Sequence, residues 1–299
     1  MTGRQSRAAA PGRNPGRGAV VVAIGLAALA LAVAVSGCSA AGPSAAVSPA
    51  AGQARSASHP VASSPAAPSP AGPSAPAALP LTGEIIGIDP GHNGGNFTDP
   101  GAIAHLIWNG AEWEACDTTG TMTDGGYTEA QFTFNVARYL RADLLRDGAR
   151  VVMTRTSNDG VGPCVNRRAE IINDAHADVA VDIHADGGPA SGRGFTILEP
   201  VADGPNDKVI AASQRFGADV RQAMLAGTPM PVSDYYGVDG IEPRDDLAGL
   251  NLTTVPKVLI ECGNMRNATD AALLVTARFQ QLLAGALTAA IVRFLGRRG

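Results

Sequence analysis

Residues 84–95 read EIIGIDPGHNGG. An isoleucine-rich run stops at Pro90-Gly91, and His92, one of only five histidines in the chain, sits in the turn that follows. Short, apolar and closed by turn residues, Glu84 to Asp89 reads as a buried strand. A buried strand needs neighbours, and the sequence downstream offers them. Arg150–Thr154 (RVVMT), Asp178–His184 (DVAVDIH), Gly194–Leu198 and Lys257–Glu261 (KVLIE) read as further strands. Helical spacings alternate with them. Thr128–Arg146 carries Phe132, Val136, Tyr139, Leu140 and Leu144 on one stripe, with Thr128 as N-cap and Gly148 as stop. Arg167–Ala175, Asp207–Leu225 and a largely helical Ala268–Leu295 follow. This alternation indicates an α/β fold, a largely parallel sheet flanked by helices. In such sheets the working residues gather where strands end. One segment breaks the rhythm: His105–Ala115, HLIWNGAEWEA. Asn109-Gly110 between two tryptophans signals a hairpin whose turn residues both tolerate positive φ, expected at the rim of a cleft.

Ahead of the first strand the chain changes character. Arg4, Arg7, Arg13 and Arg17 precede an apolar run from Ala19 to Val35, which ends in Val35-Ser36-Gly37-Cys38. The run is close to the length of a membrane anchor, but small residues directly before a cysteine favour processing. The pattern resembles a bacterial lipoprotein signal. It implies a signal peptide over residues 1–37 and a lipid on Cys38, holding an exported protein to the outer face of the cytoplasmic membrane. Residues 38–81 are almost entirely Ala, Ser, Pro and Gly. They cannot bury enough apolar surface to offset their ordering entropy, so a disordered tether is expected. Residues 82–299 remain as a single domain, expected to be a monomer because no long apolar stripe is left beyond the core. Residues 1–37 hold four arginines and no acid, so the net charge falls from −4 for the whole chain to −8 without them. That acidic balance argues against nucleic acid, whose phosphates call for a basic surface. Of the cysteines after Cys38, Cys116 and Cys164 lie in polar loops and are paired here, in keeping with an exported domain. Cys262 ends an apolar strand and reads as a buried free thiol.

His92 follows the first strand, His184 ends the third, Glu129 opens a helix and Glu261 ends a late strand. Each taken singly is a weak signal. A histidine near a strand end is usually just hydrogen-bonded, and a glutamate at a helix start suits the helix dipole. Glu261 is harder to dismiss, because it follows directly on an apolar run where an unpaired carboxylate is expensive. Together, two imidazoles and a carboxylate form a set suited to zinc, and a second carboxylate can take a proton from a metal-bound water. Asp89 is a candidate to orient His92 through its second nitrogen, or equally a cap for the turn. His59, His105 and His176 read as non-ligands. Asp99, Asp117 and Asp124 could bind calcium but lack an EF-hand spacing, so a solvated loop is expected.

The motifs taken in order are more specific. IGIDPGHNGG, TEAQFTFNVARYL, VVMTR, NRRAEIINDAHADVAVDIHADGG and VPKVLIECGNMRNATDAALL resemble the zinc-dependent N-acetylmuramoyl-L-alanine amidases of the amidase_3 family, in particular exported members of the mycobacterial type. The resemblance runs from about residue 84 to 275. It implies a twisted, mixed six-stranded sheet, Zn2+ held by His92, Glu129 and His184, and Glu261 as the catalytic residue. The implied reaction is hydrolysis of the bond between N-acetylmuramic acid and L-alanine in peptidoglycan, with Glu261 accepting a proton as water attacks the lactyl carbonyl. Asp182 and Asp186 depart from the Ser-Ile-His-Ala-Asn of many relatives, and Cys262-Gly263-Asn264 from a commoner Thr-Gly-Phe. A zinc peptidase or a carbohydrate deacetylase would use similar ligands. A wall-binding module that had lost activity would be expected to have lost members of the quartet. The Gly94-Gly95 pair reads as clearance beside His92 for a bulky glycopeptide.

Overall fold

The computed structural model describes residues 78–297. The expected signal peptide and nearly all of the expected tether lie outside the described residues. Chain order runs β1 (Ile85–Pro90), α1 (Pro100–Ala104), β2 (Leu106–Trp108), β3 (Trp113–Ala115), α2 (Glu129–Arg146), β4 (Arg150–Met153), α3 (Val165–Asp174) and β5 (Val179–Asp186). It continues through β6 (Thr196–Pro200), α4 (Ile210–Gly227), β7 (Ile241–Arg244), α5 (Ala248–Asn251), β8 (Lys257–Asn264), α6 (Ala268–Leu274) and α7 (Ala277–Gly296). Six strands form one sheet in the order β4-β1-β5-β8-β6-β7. Its pairings are parallel except β6 against β8, so the sheet is mixed and largely parallel, as expected.

Side chains alternate across a strand, and here the alternation separates two chemistries. Ile86, Ile88, Val179, Val181, Ile183, Val258, Ile260 and Cys262 face one side and join the main core with residues of α2, α4 and α7. The intervening positions, Asp89, Asp182, His184, Lys257 and Glu261, face the other side. There α3 packs through Ile172 on Ala180, and α5 through Leu250 on Leu198 and Leu259. Gly87 lets α3 approach: a Cβ there would stand 2.9 Å from the Ala180 Cβ and 3.3 Å from Ile172 Cγ1. α7 is long and apolar enough to cross a membrane by length and composition. It is instead a core helix, burying Phe279, Leu283, Leu287, Ile291 and Phe294 in the main core.

Several expectations shift. Leu81, assigned by composition to the tether, is fully buried in the main core and its N–H donates to Asp147 O. The helical stretch from Ala268 is broken at Val275, and Thr276 caps α7 by accepting from the Phe279 N–H. β7, IEPR, carries a proline and two charges and offered no apolar run. The hairpin forms, but its connection spans residues 109–112, with Trp108 opposite Trp113. Only Gly110 of the two expected turn residues has positive φ, 108°. Asn109 instead folds the turn with its side chain, accepting from the N–H groups of Ala111 and Glu112 at 2.9 and 2.7 Å. Cys116 and Cys164 form the expected disulfide, and Cys262 is free and buried.

Glu199 in β6 points at α4, where Gly217 leaves the space its carboxylate occupies. Burial pushes its carboxyl up to about 7. A carboxyl raised in the folded state favours folding below its unfolded value near 4.5, and loses that contribution as pH rises through about 7. Glu199→Gln should therefore leave Tm nearly unchanged at pH 4 and raise it at pH 8. Discounting for partial contact with water, the expected gain is about 1 kcal/mol, or roughly 2–4 °C. Equal Tm shifts at the two pH values in a thermal scan would contradict this reading.

Candidate active site

β1 ends at Pro90, and the chain turns so that His92 adopts φ 57°, a left-handed conformation that non-glycine residues hold when the surroundings enforce it. α2 begins at Glu129, whose N-cap Thr128 accepts from the Gln131 N–H. β5 and β8 lie side by side with His184 in register with Glu261, and just beyond that pair the register shifts at a bulge, a device that re-aims side chains beside sites.

These elements converge. Glu129 Oε2 lies 3.2 Å from His92 Nε2, and Oε1 lies 2.9 Å from His184 Nδ1. One donor atom from each of the three residues falls within 4.8 Å of the others. Donors around a tetrahedral zinc at 2.0–2.1 Å stand roughly 3.3 Å apart, so the donor types and the two glutamate–histidine spacings fit that ion. The N–H groups of Thr121 and Ala185 donate to Glu129 at 2.9 and 3.1 Å and fix its carboxylate. Burial opposes charge on Glu129, but the two imidazoles hold its carboxyl well below the usual range. Burial likewise opposes charge on His92, and Glu129 with Asp117 raises it to about 9. His184 is raised by Asp182 and Glu129 against the same burial.

Glu261 stands beside this group. Burial pushes its carboxyl up to about 8, with Glu129 and Asp186 adding and the two histidines opposing. Its Oε2 is buried with no hydrogen-bond partner among the described residues. All four residues line a cleft of about 400 Å³, walled further along by Leu198, Leu250 and Leu259, a volume in the range of small-molecule sites. The hairpin contributes Glu114 and Ala115 to the cleft wall, and Glu114 accepts from the Ala248 N–H at 3.1 Å. Its tryptophans pack edge to face, 5.7 Å apart, and stay exposed; they are not among the lining residues.

The neighbours of the quartet differ from the sequence reading. Asp89 does not orient His92: its carboxylate accepts from Thr154, Arg168 and Lys257, because the strand points it to the polar face while His92 lies beyond the turn. Asp117 takes that place, with Oδ1 3.2 Å from His92 Nδ1. It is no solvated loop residue. Asp99 caps α1 and Asp124 is exposed, near Arg266 at 3.9 Å, so among the described residues the three aspartates do not gather into a calcium site. His105 lies at the disulfide, 3.4 Å from Cys164 Sγ, and His176 follows α3. Gly94 and Gly95 do not clear space for a ligand. They pack on the 158–160 backbone, where added Cβ atoms would stand 2.0 and 2.6 Å from Asn158 O and Gly160 C. Asn264 donates to the carbonyls of Pro189 and Gly192 and so braces a loop.

The glycines that do shape the site are Gly91, which in the sequence reads only as part of a turn, and Gly120. A Cβ on Gly91 would stand 2.3–2.6 Å from the His184 ring. At Gly120, φ is 69° and a Cβ would stand 2.7 Å from His92 Cδ2 and 2.8 Å from Glu129 Oε2. Gly91→Ala should push His184 aside and lower zinc affinity at least about tenfold, with an unchanged circular dichroism spectrum. Zinc binding equal to that of the wild type in a chelator titration would contradict this packing.

The geometry agrees with comparisons to known proteins. The model of the Amidase_3 family, N-acetylmuramoyl-L-alanine amidase, matches residues 86–293. The chain is 37% identical over 228 residues to N-acetylmuramoyl-L-alanine amidase Rv3717 of Mycobacterium tuberculosis, covering 76% of this chain and 93% of that protein. The structure is similar to the crystal structure of the N-acetylmuramyl-L-alanine amidase Ami1 from Mycobacterium smegmatis, with TM-score 0.69, 38% identity, and 73% and 99% of the two chains covered. The apo form of Ami1 from Mycobacterium abscessus gives TM-score 0.68 at 40% identity, covering 72% of this chain and all of that one. With a family model spanning nearly the whole described fold, the chain belongs to the Amidase_3 family of N-acetylmuramoyl-L-alanine amidases.

Proposed function

We propose that the protein is a zinc-dependent amidase that hydrolyses the bond between N-acetylmuramic acid and L-alanine in peptidoglycan. The observation that carries the reading is the convergence of His92, Glu129 and His184 on one point, with Glu261 in register beside it at the cleft. His92 Nε2, the Glu129 carboxylate and His184 Nδ1 would hold the ion. Zinc held there would supply a Lewis acid, which lowers the pKa of water towards about 7 and favours negative charge on a carbonyl oxygen. A cation beside Glu261 also stabilises its ionised form, which burial alone disfavours.

Glu261 then works as general base and acid. Its Oε2 accepts the proton of the water that attacks the lactyl carbonyl. It returns that proton to the L-alanine nitrogen as the C–N bond breaks, leaving a carboxylic acid on the lactyl group, which ionises in water, and a free amine on the stem peptide. Glu129 stays ionised among its two imidazoles and two backbone donors, so it holds position. The leucines along the cleft exclude water from the substrate's flank, and Glu114 and Ala115 add to its wall.

The rest of the chain extends this reading. Residues 1–37 serve as a lipoprotein-type signal, Cys38 carries a lipid, the Ala/Ser/Pro-rich residues from 38 to about 77 serve as a tether and the catalytic domain acts on the wall as a monomer. The basic head, the Val35-Ser36-Gly37-Cys38 ending and the Ala/Ser/Pro composition support this.

Mass spectrometry of a muropeptide digest tests the chemistry. A stem peptide with a free L-alanine amine is expected; loss of acetyl groups or cleavage inside the peptide would contradict the amidase reading. Glu261→Gln should keep its zinc and lose roughly 10²- to 10⁴-fold in kcat, and digestion at the wild-type rate would remove Glu261 from the mechanism.

A further inference from the structure

A line of buried charges connects the two histidines from behind. His92 Nδ1 lies 3.2 Å from Asp117 Oδ1, and Asp117 Oδ2 lies 3.5 Å from Arg168 Nη2. Arg168 Nη1 donates to Asp89 Oδ1 at 3.0 Å. Lys257 Nζ donates to Asp89 Oδ2 at 2.8 Å and stands 3.1 Å from Asp182 Oδ2. Asp182 Oδ1 lies 3.3 Å from His184 Nε2. The five side chains alternate in sign, carboxylate, guanidinium, carboxylate, ammonium, carboxylate, and all are buried.

The two ends of the line meet the ring nitrogens that face away from Glu129. We propose that Lys257 and Arg168 are positioning residues for the metal centre, setting Asp117 and Asp182 so that each imidazole is locked with its ligand nitrogen towards Glu129. This rests on the zinc reading above. The chemistry of the line supports it. Three carboxylates against two cations leave one negative charge in excess, and the ring N–H groups at either end are where that excess finds donors. Asp182 Oδ1 makes no well-formed hydrogen bond with any described residue, so the His184 N–H is the donor within its reach. A ring flipped by half a turn would put Cε1 in place of Nε2 and Cδ2 in place of Nδ1, forfeiting that contact and turning a carbon towards the ion. Carboxylates behind metal-bound imidazoles fix tautomer and orientation in this way. Here a single interior line reaches both ligands, so Lys257, which touches neither histidine, acts on His184 through Asp182.

A purely structural role predicts something different, because buried ion pairs are often replaceable by apolar side chains at little loss of stability. The test uses the full chain with Lys257→Met and the charge-balanced pair Lys257→Met/Asp182→Leu, which leaves Asp89 paired with Arg168. Thermal stability of the metal-free protein, zinc affinity by chelator competition and the visible spectrum of the cobalt-substituted protein are measured. The expected result is a double variant close to wild type in Tm, with zinc affinity down about 10- to 100-fold and an altered cobalt spectrum. Wild-type zinc affinity and an unchanged spectrum in the double variant would overturn the proposal. Should the variants fail to fold, nitrogen NMR of the zinc-loaded wild type decides. A His184 ring bound through Nδ1 with a slowly exchanging Nε2 proton supports the proposal, and binding through Nε2 or a rapidly exchanging proton overturns it. A wild type that takes up no zinc at all removes the metal reading itself, a separate outcome.

Discussion

Lys257 holds two aspartates that could not otherwise share the interior. Asp89 and Asp182 are paired in register on neighbouring strands, both buried and both facing the same side of the sheet. Two carboxylates so placed repel, and taking each from water costs several kcal/mol per ion after relaxation. The Lys257 ammonium, itself 1% exposed, lies within 3.1 Å of both and answers the repulsion from the next strand of the sheet. The three central strands β1, β5 and β8 are thereby joined through side chains as well as backbone. The same alternation that turns these charges to one face sets His184 two residues beyond Asp182, and Glu261 four beyond Lys257, at the end where the cleft opens.

The remaining parts of the site come from the ends of elements. A left-handed backbone at His92 lifts its ring over the strand end, and the first residue of α2 brings Glu129 between the two imidazoles. Close approach then depends on what is missing. Side-chain atoms at Gly91 and Gly120 would occupy the places of the His184, His92 and Glu129 side chains. The disulfide between Cys116 and Cys164 ties the strand leaving the hairpin to the start of α3, which keeps Asp117 and Arg168 close by, both in contact with His92.

Much of this was legible in the sequence. The apolar strands were, because short β-branched runs ended by Pro, Gly or charge suit a buried strand and little else, and α2 was, because its stripe and cap agree. The quartet of His92, Glu129, His184 and Glu261 stood out by position at element ends and by family resemblance. What stayed hidden was long-range or subtractive. Asp117 looked like one acid in a polar loop because its partners, His92 and Arg168, lie 25 and 51 residues away. Asp89 was matched to its sequence neighbour His92, whereas its partner Lys257 lies 168 residues on. A signal was present: Asp182 and Lys257 are charges inside apolar strands, in phase with His184 and Glu261, and such charges need partners of opposite sign on the same face. The short β7 and the break between α6 and α7 carry no such mark, since Pro243 hides the one and continuing apolar spacing hides the other.

An anomalous difference map at the zinc edge, from crystals of the zinc-loaded protein, tests the central claim most directly. The account predicts one strong peak with His92 Nε2, a Glu129 oxygen and His184 Nδ1 at about 2.0–2.2 Å and Glu261 facing the open side. A peak held by other residues, or by the His184 Nε2 that faces Asp182, would contradict it.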